Sequence, residues 1–279
     1  MRRRQFLSGC AALALGWTLP VAAQPRQRLV RQQLMLGNPA AAPLREATAW
    51  FYVPMRRAAG QTRLELHIDA PHRLHDDARG NTLVEVPIRE LAPFDKKLVR
   101  VQAVLGEQQQ TVLDDPAGYL GPEPYIEADA APLRELAQTL RQAAPPDTAR
   151  AIYHWVRGNL VYAGFVAEDQ GAAYALRQRR GDCTEYAYLV TALARACGIP
   201  ARAMGGYVLE RDGLARSVDY HNWCELWLDG QWQVVDAQKE DFLPPPLRYI
   251  AYRVVQRTAA GAAGISKFGG SPGLKVTME

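Results

Sequence analysis

The sequence predicts strands and helices in separate stretches: a small β-sandwich first, then helices, then antiparallel strands. Three observations carry this. Short runs between about Arg28 and Leu113 are broken at regular intervals by turn residues. A helix with a three-and-four apolar rhythm opens at Cys183. An Asp229-Gly230 pair joins two strand-like runs further on. The 279 residues are 48% hydrophobic and 22% charged, an ordinary globular composition with room for two modest domains. That balance excludes a disordered or collagen-like chain.

The first element is a targeting segment, residues 1–23. Arg2-Arg3-Arg4-Gln5-Phe6-Leu7 carries a twin arginine, an apolar stretch runs from Gly9 to Leu19, and Val21-Ala22-Ala23 offers small residues for cleavage before Gln24. This reads as a twin-arginine export signal, so the expected location is outside the cytoplasm, in the periplasm. Cys10 precedes most of the apolar region and belongs to the signal, not to a lipid-attachment site. The apolar stretch is too short and interrupted to span a bilayer stably, and no other run is long enough, so no integral membrane span is expected after cleavage. The signal has three arginines and no acid, and so contributes three units of the formal net charge of +4. The basic balance therefore implies no nucleic-acid partner. Three cysteines remain beyond the signal: Cys183, Cys197 and Cys224. An odd number in an oxidising compartment leaves a free thiol and at most one bridge, between Cys197 and Cys224.

The next region, residues 28–114, is expected to be the sandwich. Thr48–Val53, Arg63–Ile68, Thr82–Val86 and Lys97–Val101 alternate in part, with Gly60, Pro71, Gly80 and Pro93 between them. His67, His72 and His75 lie among Asp69, Arg73, Asp76, Asp77 and Arg79, which reads as a solvated turn; no metal-ligand spacing is present and no cofactor is expected. A Pro/Gly-rich linker runs from Asp115 to Pro124. A helix is predicted over about 131–142, with Leu133, Leu136, Ala137 and Leu140 as its stripe. A second is predicted from an Asp147 N-cap to Arg157, carrying His154 as a partly buried structural histidine.

The Cys183 helix is the most informative element. Asp182 occupies the N-cap and Glu185 follows three residues later, a capping-box spacing. Gly198 and Pro200 stop it. Cys183 therefore falls in the first turn, where free N–H groups and the helix dipole favour negative charge, so its thiol is expected to ionise easily.

Strand-like runs follow at 201–209, 220–228, 231–236 and 248–255; a Gly-rich tail occupies 258–279, and its polar part from Thr258 to Pro272 reads as loop. The Asp229-Gly230 turn sets the register: Leu228 faces Gln231, Trp227 faces Trp232, and Trp223 faces Asp236. Side chains alternate, so His221, Trp223, Trp227 and Asp236 share a face, with His221 and Asp236 as diagonal neighbours. A one-residue slip would separate them. Taken singly, each residue has an ordinary structural use. Together they describe a nucleophile (Cys183), a base (His221) and a carboxylate that orients it (Asp236), with the Cys183 N–H as an oxyanion donor.

Three separated blocks carry a resemblance: Arg180-Gly181-Asp182-Cys183-Thr184-Glu185-Tyr186-Ala187 with Leu193 to Arg202, then His221-Asn222-Trp223, then Gly230-Gln231-Trp232-Gln233-Val234-Val235-Asp236-Ala237. Their order resembles the transglutaminase-like superfamily across roughly Leu120 to Asp241. The resemblance implies an α+β fold with a papain-like core, a Cys helix packed on an antiparallel sheet, over about 120–257. It also implies the triad Cys183, His221 and Asp236. Asp236-Ala237-Gln238 departs from the Asp-Pro-Thr common in such proteins, which leaves the triad intact.

The expectation is an exported cysteine-nucleophile enzyme that acts on amide bonds of peptides or proteins in the cell envelope through a thioester, as a transamidase, deamidase or peptidase. Trp223, Trp227 and Tyr207 either line the substrate cleft or fill core. The rival expectation is a cell-envelope binding or assembly module with a relic triad.

Overall fold

The structure is a computed structural model, and it describes residues 26–107, 115–255 and 267–279. The export signal, with Cys10, lies outside the described residues.

The N-terminal β-region is two packed sheets. One contains Gln27–Gly37, Lys96–Gly106, Gln61–Ile68 and Arg57–Ala58. The other orders Arg73–Asp76, Thr82–Leu91, Leu44–Val53 and Phe268–Gly270. Alternation sends one side of each strand inward: Leu34 and Leu36, Ala49, Phe51 and Val53, Val84, Val86 and Ile88, Val99 and Val101 form one buried cluster.

The C-terminal segment corrects the reading of Thr258 to Pro272 as loop at Phe268–Gly270 and adds a further strand beyond it. In its described part, Phe268–Gly270 pairs antiparallel with Ala49–Phe51, and Lys275–Met278 pairs with Leu34–Gly37. Both strands therefore belong to the sandwich. Glycine concealed the pattern, and the structure gives the reason for one of them. A Cβ on Gly269 would lie 2.4 Å from Trp50 Cζ2, so only glycine admits the indole across the strands.

The second half places four helices against a five-stranded sheet. Helix α1 spans Ala131–Leu140, α2 Pro145–Asn159, α3 Ala172–Gln178 and α4 Cys183–Ala196. The sheet runs Asp241–Phe242, Gln231–Asp236, Tyr220–Leu228, Ala201–Val208 and Tyr249–Val254, all neighbours antiparallel. The hairpin has the expected register, Leu228 with Gln231 and Trp227 with Trp232. Asp229 and Gly230 both take positive φ, as a type I′ turn requires.

Three details differ from the sequence reading. Helix α2 starts at Pro145, whose missing N–H costs nothing at the first position, and Asp147 sits inside its first turn. His154 is exposed on that helix. Helix α3 had no apolar rhythm or capping side chain to announce it; Gly171 occupies its N-cap.

Helix α4 is buried on nearly every side from Thr184 to Arg195 and does not merely present one apolar stripe. Its polar residues are satisfied internally. Thr191 donates to the Ala187 carbonyl, while Arg195 donates to the carbonyls of Ala201 and Gly121 and pairs with Glu123.

The two halves are joined by hydrogen bonds, one of which ends on a buried ion pair of the five-stranded sheet. Met55 N–H donates to the Ala251 carbonyl, and the Gln61 amide brackets the same residue through its N–H and C=O. Arg202 donates from Nε and Nη2 to Glu225 Oε2, at 2.9 and 2.7 Å. The other oxygen, Oε1, accepts from Ala59 N–H in the sandwich. Both side chains are 1% exposed. Removing one partner strands the other charge, so Glu225→Ala should lower unfolding stability by ~3–5 kcal/mol. Chemical denaturation checks this; the double replacement Arg202→Met with Glu225→Leu should recover most of the loss.

Candidate active site

Cys183 opens α4 under the predicted capping box. Asp182 Oδ1 accepts from Thr184 N–H at 2.7 Å, and Glu185 Oε2 accepts from Asp182 N–H at 3.0 Å. The other oxygens of these two acids organise a neighbouring loop: Asp182 Oδ2 accepts from Val166 N–H and Glu185 Oε1 from Gln170 N–H. Gly181 is required by this packing, because a Cβ there would lie 2.3 Å from Glu185 Cβ. The cap engages Thr184 N–H and leaves the Cys183 N–H, which has no acceptor within its own helix.

His221 and Asp236 meet as the register demands. His221 Nε2 lies 2.5 Å from Asp236 Oδ2, and both residues are buried. Asp236 is an acceptor on every side. Oδ2 also accepts from the Tyr249 hydroxyl at 2.9 Å, and Oδ1 accepts from the Gln238 and Lys239 N–H groups, each at 3.0 Å. Facing this acceptor oxygen, Nε2 carries the ring proton and Nδ1 is left with a lone pair.

Asn222, the residue after His221, brings the helix and strand together. Its Nδ2 donates to Thr184 Oγ1 at 2.8 Å, and its backbone N–H favours the thiolate form of Cys183. The thiol thus sits at the His221–Asn222 end of the strand, within the electrostatic influence of Asp236. No hydrogen bond joins the sulfur directly to the ring.

The expected ease of ionisation is corrected. Burial, then Asp182, push the Cys183 thiol up to about 11, against smaller opposing effects of Asn222 N–H and Thr184. Desolvation outweighs the helix terminus here. The proton must therefore pass to a base, and His221 is the nearby imidazole. In His221→Ala, alkylation of Cys183 should climb with pH toward about 11 rather than proceed at neutrality. Labelling rates measured across pH test this; an unchanged profile would remove His221 from the proton path.

Two cleft candidates are core residues instead. Trp223 is 1% exposed, edge-on to Tyr249 and 6.4 Å from the His221 ring centroid, so it backs the histidine. Tyr207 is buried against Tyr220 and Tyr252, with its hydroxyl toward Met278 Sδ. Trp227 lines a cavity of about 310 Å³ with Trp232, Arg202 and Pro245, but neither Cys183 nor His221 reaches it. Cys197 and Cys224 are separate free thiols in this structure, directed to the Ala137 carbonyl and Thr191 respectively.

The sequence reading missed the residues beside the nucleophile. Val161–Tyr162 pairs in parallel with Arg180–Gly181, and Ala163 N–H donates to the Gly181 carbonyl. That segment runs along the approach to Cys183 with Val161, Tyr162 and Phe165 exposed. Val218, also exposed, lies just before the His221 strand. Tyr249 and Asn222 were missed as well. Only their three-dimensional partners single them out.

A thiol at a helix start, close to a strand whose imidazole bonds a carboxylate, brings together the residue types of a cysteine-nucleophile site on a mixed α+β scaffold. Residues 134–237 match the family model described as the transglutaminase-like superfamily, so the chain carries a transglutaminase-like domain. Its core has the papain-like arrangement and is preceded by a β-rich region. A crystal structure from Cytophaga hutchinsonii, provisionally described as a cysteine protease, is similar with a TM-score of 0.60 at 20% identity. That likeness covers 91% of this chain and 91% of the other, so it includes the β-rich region. The periplasmic domain of TgpA from Pseudomonas aeruginosa, bound to ethylmercury, is 21% identical with a TM-score of 0.38, covering 74% of this chain and 89% of that one. An uncharacterised protein of Mycobacterium leprae is 28% identical over 130 residues, which are 45% of this chain and 47% of that protein. The match thus spans about half the length of that relative. The family match supports a cysteine-type enzyme family.

Proposed function

We propose that this chain is an exported enzyme that cleaves amide bonds of peptides or proteins through a thioester on Cys183. The observation that carries the reading is the His221–Asp236 hydrogen bond at 2.5 Å, beside a thiol on a capped helix terminus. The thiol proton passes to His221 Nδ1 as sulfur bonds to the carbonyl carbon. The oxyanion forms toward the Cys183 N–H. Collapse breaks the C–N bond, and His221 returns its proton to the leaving amine. Water or an amine, deprotonated by His221, then attacks the thioester and restores the thiol.

The exposed apolar residues Val161, Tyr162, Phe165 and Val218 support a peptide substrate laid across the thiol. The twin-arginine segment supports export to the periplasm, and no helix among the described residues is long and apolar enough to cross a membrane. The test is to incubate purified protein with a glutamine-containing peptide library and a primary amine, and read products by mass. Amine incorporation, ammonia release or backbone cleavage identifies the acyl acceptor. Products that persist unchanged with Cys183→Ala, or no product at all, would refute the reading.

A further inference from the structure

Tyr249 opens the strand Tyr249–Val254, is buried, and touches the carboxylate that serves His221. Its hydroxyl lies between two acids, 2.9 Å from Asp236 Oδ2 and 2.6 Å from Asp241 Oδ2. The sheet brings those acids together, because Asp236 and Asp241 are direct partners across an antiparallel pair. Like charges so placed repel. Each acid has its own compensation. Arg248 Nη1 pairs with Asp241 Oδ1, while its Nε pairs with Glu210 at 2.7 Å. The Gln238 and Lys239 N–H groups serve Asp236 Oδ1. The Tyr249 hydroxyl faces the two oxygens that remain.

A hydroxyl has one proton to donate. Burial first, then Asp236 and Asp241, push the ionisation of Tyr249 well above its ordinary range, so that proton stays on the oxygen. It serves one carboxylate fully or both in part. The division matters because Asp236 Oδ2 is also the acceptor for His221 Nε2, at 2.5 Å. Two donors on one oxygen draw on the same electron density, and each weakens the other. With the tyrosine proton turned to Asp241, Asp236 gives His221 its full charge. With the proton turned to Asp236, part of that charge is taken up.

We infer that Tyr249 is a positioning residue whose one hydroxyl proton is divided between Asp236 and Asp241, so that the Asp241–Arg248 pair sets how strongly Asp236 holds the His221 ring. The inference rests on the cysteine-nucleophile reading for its catalytic meaning, but its first test needs no turnover. The probe is the Nε2–H proton of His221, read by NMR and assigned by its loss in His221→Ala. A stronger hydrogen bond to Asp236 moves that resonance downfield, and a weaker one moves it upfield.

Tyr249→Phe removes the competing donor and should move the resonance downfield. Asp241→Asn should move it upfield: Arg248 keeps the asparagine's carbonyl oxygen, the amide NH2 then turns to the tyrosine oxygen, and the tyrosine proton goes to Asp236. In the Tyr249→Phe background, Asp241→Asn should move it less, because the group that couples the two acids is gone. Tyr252→Phe makes the same change further along the strand, at a hydroxyl with no hydrogen-bond partner among the described residues, and should leave the resonance in place. Iodoacetamide labelling of Cys183 at neutral pH should rise in Tyr249→Phe and fall in Asp241→Asn, by about threefold each, since a bond to a charged group is redistributed and not removed. A merely structural tyrosine would loosen Asp236 in both variants, so shifts in one direction overturn the inference. An unmoved resonance overturns it too, as does labelling that ignores both changes while still responding to His221→Ala. If Tyr249→Phe fails to fold, Asp241→Asn decides alone, and a downfield move or none sinks the inference. Opposed shifts with no product in the peptide assay would refute the enzymatic reading while leaving the shared proton standing.

Discussion

Cys183→Ala should lower amide turnover by about a million-fold, to the residual rate that binding and an oxyanion donor alone can give. The argument is chemical. No other described thiol can substitute, because Cys197 and Cys224 are buried elsewhere in the fold and are pointed at Ala137 and Thr191. The effect should be confined to catalysis. The cap depends on Asp182, Thr184 N–H and Glu185, none of which the change touches, so the thermal midpoint should move little. The measurement is kcat/KM on whichever peptide the mass assay identifies, together with complementation in a cell that lacks the protein. Full complementation by Cys183→Ala would favour the binding-module alternative, in which the triad is a relic.

Asp236→Asn should cost about four orders of magnitude in kcat with little change in KM. The carboxylate fixes which ring nitrogen holds the proton. An asparagine keeps Oδ1 for the Gln238 and Lys239 N–H groups, which turns its amide NH2 toward His221 Nε2. Two donors then face each other unless the ring shifts its proton to Nδ1. That tautomer has no lone pair to receive the thiol proton. Tyr249, which reaches both Asp236 and Asp241, can redirect to Asp241 at 2.6 Å, so the pocket need not collapse. A kcat within tenfold of the native value would show that the carboxylate merely fills space.

The site's skeleton was legible because local chemistry specified it. A capping box marks a helix start regardless of what lies around it, and it put Cys183 in the first turn. An Asp-Gly turn fixes register one pair at a time, and counting back along the hairpin joined His221 to Asp236. Where partners are far apart in sequence, no such local signal exists. Lys275–Met278 alternates weakly, and its partners lie in the first strand. Val161–Tyr162 is two residues long and exposed, so neither propensity nor periodicity marks it. The thiol's ionisation misled for a related reason. A helix terminus can be read from sequence, but the burial that opposes it depends on everything packed around. Aromatic alternation likewise put Trp223 on the correct face without showing that Tyr249 would cover it.

Where the last strand lies has a consequence for how the chain is made. Lys275–Met278 and Gly213–Leu214 both cover the outer side of Gln27–Gly37, one at each end. Until synthesis reaches them, that strand is a bare hydrogen-bonding edge, open to any passing β-segment. The sandwich must wait, half-finished, for the ribosome to deliver partners 183 positions on at one end, Gly213 for Val30, and 244 at the other, Met278 for Leu34, and this period of waiting is when self-association competes with folding.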